Sequence, residues 1–303
     1  MNSLHANAAM IPMVIADEHR QLCVSHVIAS SRCIGKRPRT LLLHGNPADM
    51  DDWRVLAPLL SEHADLAAID LPGFGRSDDL GAKPRQSLLD LFALSAKTAV
   101  DQLGWGDPFF LVGHSHGGGV AQAFAARYPE QIAGIVLIAT LGSPAHRAYK
   151  QLALPAVENL LRLASTVVRF RGVQPLLRAL IGGIMRPMFY PSPVPSERIE
   201  EQIRAFEARP EILVNMARLT RGKPCEQLGR DAECIRSPVL FIHGDSDQIV
   251  PMVHAESIHS IVSSRVQSSF CVVAGGGHML HTTHAEEVHR LIAAWFAKCG
   301  TQQ

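Results

Sequence analysis

The sequence predicts an α/β protein built on a mainly parallel, doubly wound sheet with a helical insertion. Three observations lead there. Short apolar runs bounded by turn residues alternate with helical patterns along most of the chain. These runs are nearly continuous in apolar residues, as in strands covered on both faces. One long interval, 140–237, has helical periodicity and no convincing strand.

In chain order, the predicted strands are 22–29, 40–43, 66–69, 109–112, 134–139, 238–242 and 268–273. Helical patterns fall at 53–61, 87–103, 118–128, 252–262 and 285–298. The strandless interval is interrupted by Pro155, Pro175, Pro187 and the run from Pro191 to Pro195. It reads as an inserted cap, which divides the chain into core 1–142, cap 143–230 and core 231–303. The first half of the cap is basic, with Arg147, Lys150, Arg162, Arg169, Arg171, Arg178 and Arg186 against Glu158. Leucines and other aliphatics fill the spaces between these charges. The pattern suits helices with solvated arginines, or a movable apolar cover with transient contact to a lipid surface.

Composition narrows the classes. The chain has 303 residues, 47% hydrophobic, and a net charge of +1, so no global field points to nucleic acid or a membrane. Its six cysteines lack Cys-x-x-Cys spacing, which argues against a zinc site or a disulfide framework. The apolar stretch 8–16 has no Lys or Arg before it and contains Pro12, a poor pattern for a signal peptide. No apolar run is long enough to span a bilayer. The expected location is cytoplasmic.

The chemistry is written in three loops. Phe109 to Val112 runs straight into Gly113-His114-Ser115-His116-Gly117, and an Ala-rich helical pattern follows. Strand, sharp turn and helix would leave the Ser115 hydroxyl exposed at the apex, with Gly113 and Gly117 making room. The last strand ends in Gly275-Gly276-Gly277 and then His278, a glycine loop able to swing an imidazole over the sheet edge. His281 and His284 compete for the role of base, but both fall where the final helix begins. The three histidines also raise a metal cluster, yet such helical spacing rotates them off a common face. No metal or organic cofactor is expected. Strand 238–242 leads into His243-Gly244-Asp245-Ser246-Asp247, which offers Asp245 and Asp247 as the acid that orients the base.

Together these loops resemble the α/β-hydrolase superfamily over most of 20–142 and 231–300, in the chain order Ser115, Asp247, His278. The resemblance implies Asp247 as the acid, because the family's carboxylate commonly ends a Gly-x-x-Asp turn with a Pro soon after, here Pro251. It also implies that the backbone N–H groups of Asn46 and His116 form an oxyanion hole. Asn46 lies in Leu43-His44-Gly45-Asn46-Pro47, directly after an early strand. The turn from Asp70 to Asp78 matches a recurrent family feature and reads as structural, with Gly73 and Gly75 shaping the bend and Arg76 pairing locally.

Reaction type follows from the nucleophile. His-Gly-Asn-Pro is dehalogenase-like, but dehalogenases and epoxide hydrolases attack with aspartate, and position 115 is serine. Dehalogenases also typically carry Trp where His116 stands. Tyr149 and Tyr190 in the cap do not make the epoxide-hydrolase case without that aspartate. Serine with histidine and aspartate implies acyl transfer to water. The expected enzyme is a carboxylic ester hydrolase of the EC 3.1.1 type acting on a small apolar ester. A carbon–carbon bond hydrolase of a vinylogous keto acid, with a cap arginine on the carboxylate, is the alternative. An amidase, lactonase or perhydrolase also fits the motifs, and an inactive receptor or scaffold is the non-enzyme reading.

Overall fold

A computed structural model describes residues 3–15, 18–27, 37–79, 87–143, 150, 154–221 and 224–300. Eight strands form one sheet: β1 (Ala8–Ile15), β2 (Glu18–Val27), β3 (Arg39–Leu43), β4 (Asp65–Ile69), β5 (Phe109–His114), β6 (Ile132–Ile138), β7 (Val239–Gly244) and β8 (Ser268–Val273). Their spatial order is β1-β2-β4-β3-β5-β6-β7-β8. The β1–β2 and β2–β4 pairs are antiparallel, and all others are parallel.

Burial on both faces explains the apolar runs. Leu41 and Leu43 join one apolar layer with Phe124, Leu137 and Phe241. Leu42, between them, joins the opposite layer with Trp53, Val112 and Phe296. Alternate side chains point to opposite faces, so a strand sandwiched by helices must be apolar at every position. The first layer is completed by helices Leu88–Gln102, His116–Arg127 and Val253–Val262, and the second by helix Ala285–Gly300.

Several elements differ from expectation. The stretch 8–16, considered only as a leader, supplies edge strand β1, with Pro12 opposite Gln21. Proline is tolerated at a sheet edge, where one N–H has no ladder partner to lose. The pattern at 53–61 resolves into a 3-10 turn at Met50–Trp53 and a short α-helix at Leu56–Leu60. Arg76 pairs locally through its backbone N–H, which donates to Asp70 Oδ2 at 2.8 Å, while its guanidinium donates to the carbonyl of His5 at 3.2 Å. The bend itself does rest on its glycines, with Gly73 at φ 86° and Gly75 at φ 51°.

Between β6 and β7 the described chain is helical: Pro155–Val167, Gln174–Phe189, Ser196–Ala208, Glu211–Arg221 and Pro224–Ala232. Helix Pro224–Ala232 lies on helix His116–Arg127, joined by an Arg127–Asp231 ion pair at 3.2 Å. Arg147 and Tyr149 lie outside the described residues. Arg162 pairs with Glu158, Arg178 with Glu200, and Arg169 donates to the carbonyls of Glu207 and Ala208. No helix among the described residues is long and apolar enough to cross a membrane.

Candidate active site

The turn after β5 is held by close backbone approach. A Cβ on Gly117 would lie 2.1 Å from the Leu43 carbonyl oxygen, and one on Gly113 would lie 2.4 Å from that of Gly117. Only glycine permits that packing of strand, turn and helix. Ser115 sits at φ 53°, ψ −114°, a conformation costly for a residue with a side chain. Its N–H donates to the Ile138 carbonyl at 2.9 Å, which ties the strained apex to the neighbouring strand. The hydroxyl therefore stands at the carboxyl edge of the sheet, beside the ends of β3 and β6.

His278 arrives from the loop after β8. Gly277 lets that loop touch the helical segment, since a Cβ there would lie 1.9 Å from the Tyr190 carbonyl oxygen. The N–H of Met279 donates to the carbonyl of Met188 at 3.1 Å, which fixes the loop from the other side. His278 Nε2 lies 3.0 Å from Ser115 Oγ, and its Nδ1 lies 2.8 Å from Asp247 Oδ2. A carboxylate can only accept, so Nδ1 carries the proton and Nε2 is free to accept from the serine hydroxyl.

Asp247 is fixed by its own turn. Its Oδ1 accepts from the N–H groups of Ile249 and Val250 at 2.8 and 2.9 Å. His243 Nε2 stands 3.4 Å from Oδ2 and donates to the Val250 carbonyl at 2.9 Å. Burial alone would raise the Asp247 carboxyl, but the charge of His278 and the hydrogen bonds of His243 and His278 hold it well below the usual carboxylate range. Asp245 goes elsewhere. It is exposed, and its carboxylate accepts from Gly275 N–H at 2.9 Å, bracing the glycine loop.

Segment 45–46 lies against the serine, since a Cβ on Gly45 would be 3.2 Å from Ser115 Cβ. Asn46 is half-buried there. His116 is the first residue of helix His116–Arg127, where backbone N–H groups have no intrahelical acceptor. Its imidazole is buried edge-on to Phe92, and burial pushes it down to about 3. His44 is likewise lowered by burial. Its two nitrogens face the Gly45 carbonyl at 2.7 Å and the Leu71 N–H at 2.9 Å, the pairing of a neutral ring.

The other two C-terminal histidines diverge. His281 Nε2 faces Asp52 Oδ2 at 3.1 Å, and His284 Nδ1 faces Thr283 Oγ1 at 2.9 Å. Buried Asp52 and its half-buried partner Arg198 are charges that sequence reasoning passed over, and both line the pocket. Asp52 lies in an ordinary helix-start sequence and Arg198 on a polar-looking helix, so no local signal marks either. The pocket is a cavity of about 280 Å³ beside Asn46, His114 and Met279, walled by aliphatic residues such as Leu177, Ile181, Met185 and Met188.

A family model described as the alpha/beta hydrolase fold matches residues 38–285. A 2-hydroxy-6-oxononadienedioate/2-hydroxy-6-oxononatrienedioate hydrolase of Klebsiella pneumoniae is 25% identical over 88% of this chain and 89% of its own. The monoacylglycerol lipase abhd6-B of Xenopus laevis is 31% identical, over 73% of this chain and 65% of its own. Among solved structures, a thermophilic esterase from Thermogutta terrifontis superposes with a TM-score of 0.69 at 23% identity, over 96% of this chain and 98% of the esterase.

Proposed function

The chain belongs to the alpha/beta hydrolase fold family, a family of hydrolases in its near relatives, and we propose that it is a serine hydrolase cleaving carboxylic esters with apolar acyl groups. One observation carries the reading: Ser115, His278 and Asp247 form an unbroken hydrogen-bonded chain of 3.0 and 2.8 Å beside an aliphatic pocket. Ser115 Oγ attacks the ester carbonyl while His278 Nε2 takes its proton. Asp247 stabilises the resulting imidazolium through Nδ1–H. The carbonyl oxygen, now anionic, accepts from the N–H groups of Asn46 and His116, donors of the kind typically worth about 3 kcal/mol each in the transition state. The tetrahedral intermediate collapses, the C–O bond breaks, and the alcohol leaves with the proton from Nε2. Water then repeats the sequence on the acyl-enzyme and releases the acid and Ser115. No step calls for a metal or an organic cofactor.

The carbon–carbon reading draws on the Klebsiella relative and needs a cation for the substrate carboxylate. Among the described lining residues Arg198 is the sole Arg or Lys, and it is already paired with Asp52 at 2.5 Å and Glu201 at 3.3 Å. That occupancy favours the ester. Exposed Leu160, Leu163 and Leu176 on the basic helices, and Phe170 in the connection between them, support transient contact with a lipid surface. Co-sedimentation with anionic vesicles tests it.

The deciding experiment measures initial rates on p-nitrophenyl esters from acetate to dodecanoate, with a keto acid and an amide alongside. Activity on esters is expected to vary gradually with chain length, because an apolar pocket discriminates by only about 1–3 kcal/mol per methylene. Chelator is expected to leave the rate unchanged. Turnover of the keto acid with all esters inert would replace the ester reading, and burst-free binding without turnover would point to a receptor.

A further inference from the structure

Asp52 is a nearly fully buried carboxylate that the acyl-transfer steps do not use. Both oxygens are occupied. Oδ1 accepts from Arg198 Nη2 at 2.5 Å, and Oδ2 accepts from His281 Nε2 at 3.1 Å. Burial alone would raise this carboxyl, but the charge and hydrogen bond of His281, and then Arg198, hold it well below its usual range. It is an anion with a cation on one side and an imidazole on the other.

Each side leads to a different part of the site. His281 packs against His114 with the rings tilted by 41° and their centroids 4.1 Å apart. His114 Nε2 is 3.0 Å from the carbonyl oxygen of His278 and must be its protonated nitrogen, since a carbonyl only accepts. That leaves His114 Nδ1 unprotonated, 3.8 Å from Asp52 Oδ2 and without a hydrogen-bond partner among the described residues. One arm of Asp52 thus runs through His281 and His114 to the main chain of His278. The other arm reaches helix Ser196–Ala208, which brings Gln202 and Phe206 into the wall of the apolar pocket. There Arg198 also meets Glu201, which Arg54 pairs from the core at 2.9 Å. Asp52 and Arg198 line a second, charged cavity of about 780 Å³ as well, so their pair is part of the partition between greasy and polar space.

We infer that Asp52 is a positioning residue that couples the placement of His278 to the seating of the helix that walls the acyl pocket. Its carboxylate accepts on both sides at once. An amide in its place accepts through its one oxygen and turns an NH2 toward the other donor, so one arm must let go. Loss of the histidine arm loosens the base and acts on kcat. Loss of the arginine arm opens the apolar pocket toward the polar cavity and acts on KM, more for long acyl chains than for short ones.

The inference takes its kinetic readout from the serine-hydrolase reading. Kinetics of purified full-length variants on p-nitrophenyl acetate and p-nitrophenyl octanoate test it. Asp52→Asn is expected to lower kcat about tenfold and to raise KM for octanoate about fivefold. His281→Gln should act mainly on kcat, and Arg198→Met mainly on the octanoate KM, with Arg198→Lys recovering much of the latter. In the double variant Asp52→Asn/Arg198→Met the two changes should be less than additive. A folded Asp52→Asn with both parameters within about twofold of wild type overturns the inference. So does an equal effect of Arg198→Met and His281→Gln on both parameters, a comparison that stands even where Asp52→Asn does not fold. An inert wild type overturns the proposed function instead. In that case the low-field imidazole proton of the His278–Asp247 pair, read by NMR, decides: it moves in Asp52→Asn if the coupling exists and stays in place if Asp52 is only structural.

Discussion

The core and the helices between β6 and β7 are made from the same apolar residue types but use them differently. In the core, Leu41, Leu42, Leu43 and Leu111 are wholly buried. On the helical segment, Leu163 is 63% exposed, Phe170 64% and Leu176 73%. Some of the segment's ion pairs, such as Arg178 with Glu200, lie at the surface, where pairs contribute little. At the turn that carries Ser115 the core holds its backbone by contacts that leave no room for a methyl group. The segment has open space beside Gly172 and Gly183. Under the proposed function, such a division would put the reacting atoms on a firmly packed support and leave substrate fit to a part that tolerates change.

The comparison breaks most sharply at Ser115, the proposed nucleophile. Ser115→Ala is expected to cost about 10⁴ or more in kcat/KM with the circular dichroism spectrum unchanged. His278→Ala and Asp247→Asn should follow at roughly 10³–10⁴, while Asp245→Asn, a loop brace, stays within about tenfold. Hydrolysis by Ser115→Ala at close to the wild-type rate would remove the serine mechanism. A severe Asp245→Asn would reassign the acid.

A methyl group added at two glycines sharpens the contrast in stability. Gly117→Ala drives Cβ into the Leu43 carbonyl and should cost at least about 1–3 kcal/mol in urea unfolding. Gly183→Ala, in helix Gln174–Phe189 with nothing within 4 Å of the new Cβ, should stabilise by about 0.5–1 kcal/mol through helix propensity. Equal effects at the two positions would deny the difference between the regions.

The smallest effect expected concerns pH. Burial alone would lower the His5 imidazole, but hydrogen bonds to Asp51 and Asp70 and the charge of Asp70 raise it to about 10. A raised folded-state value means its stabilisation is fully present below about pH 6.5 and is lost as pH climbs through about 10. The melting temperature should therefore fall across that window, and less steeply in His5→Gln. An identical slope in the variant would show that His5 does not anchor the N-terminal turn to the core.

Much of this was legible in the sequence. The alternation of strands and helices, the glycine-flanked Ser115 and the strand-end loops of Asp247 and His278 are local patterns with local causes. Less was legible where a residue's role depends on a distant partner. Strand β1 shows a proline and exposed Met10 and Val14, because an edge strand has one ladder and one wet face and so lacks the apolar signature of its neighbours. His44, His114 and His116 carry no mark of being buried and neutral. Asp52 sits in a commonplace helix start.

By itself the sequence determined the order of the elements, the turn that strains Ser115, and the residue types at the three strand ends, because each follows from sterics and periodicity within a few residues. The tertiary structure alone decided which nitrogen of His278 meets which oxygen, and that Asp52 binds both His281 and Arg198. A buried charge is settled by whatever packing brings within 3 Å of it, and that distance is set by the whole fold rather than by its neighbours in the chain.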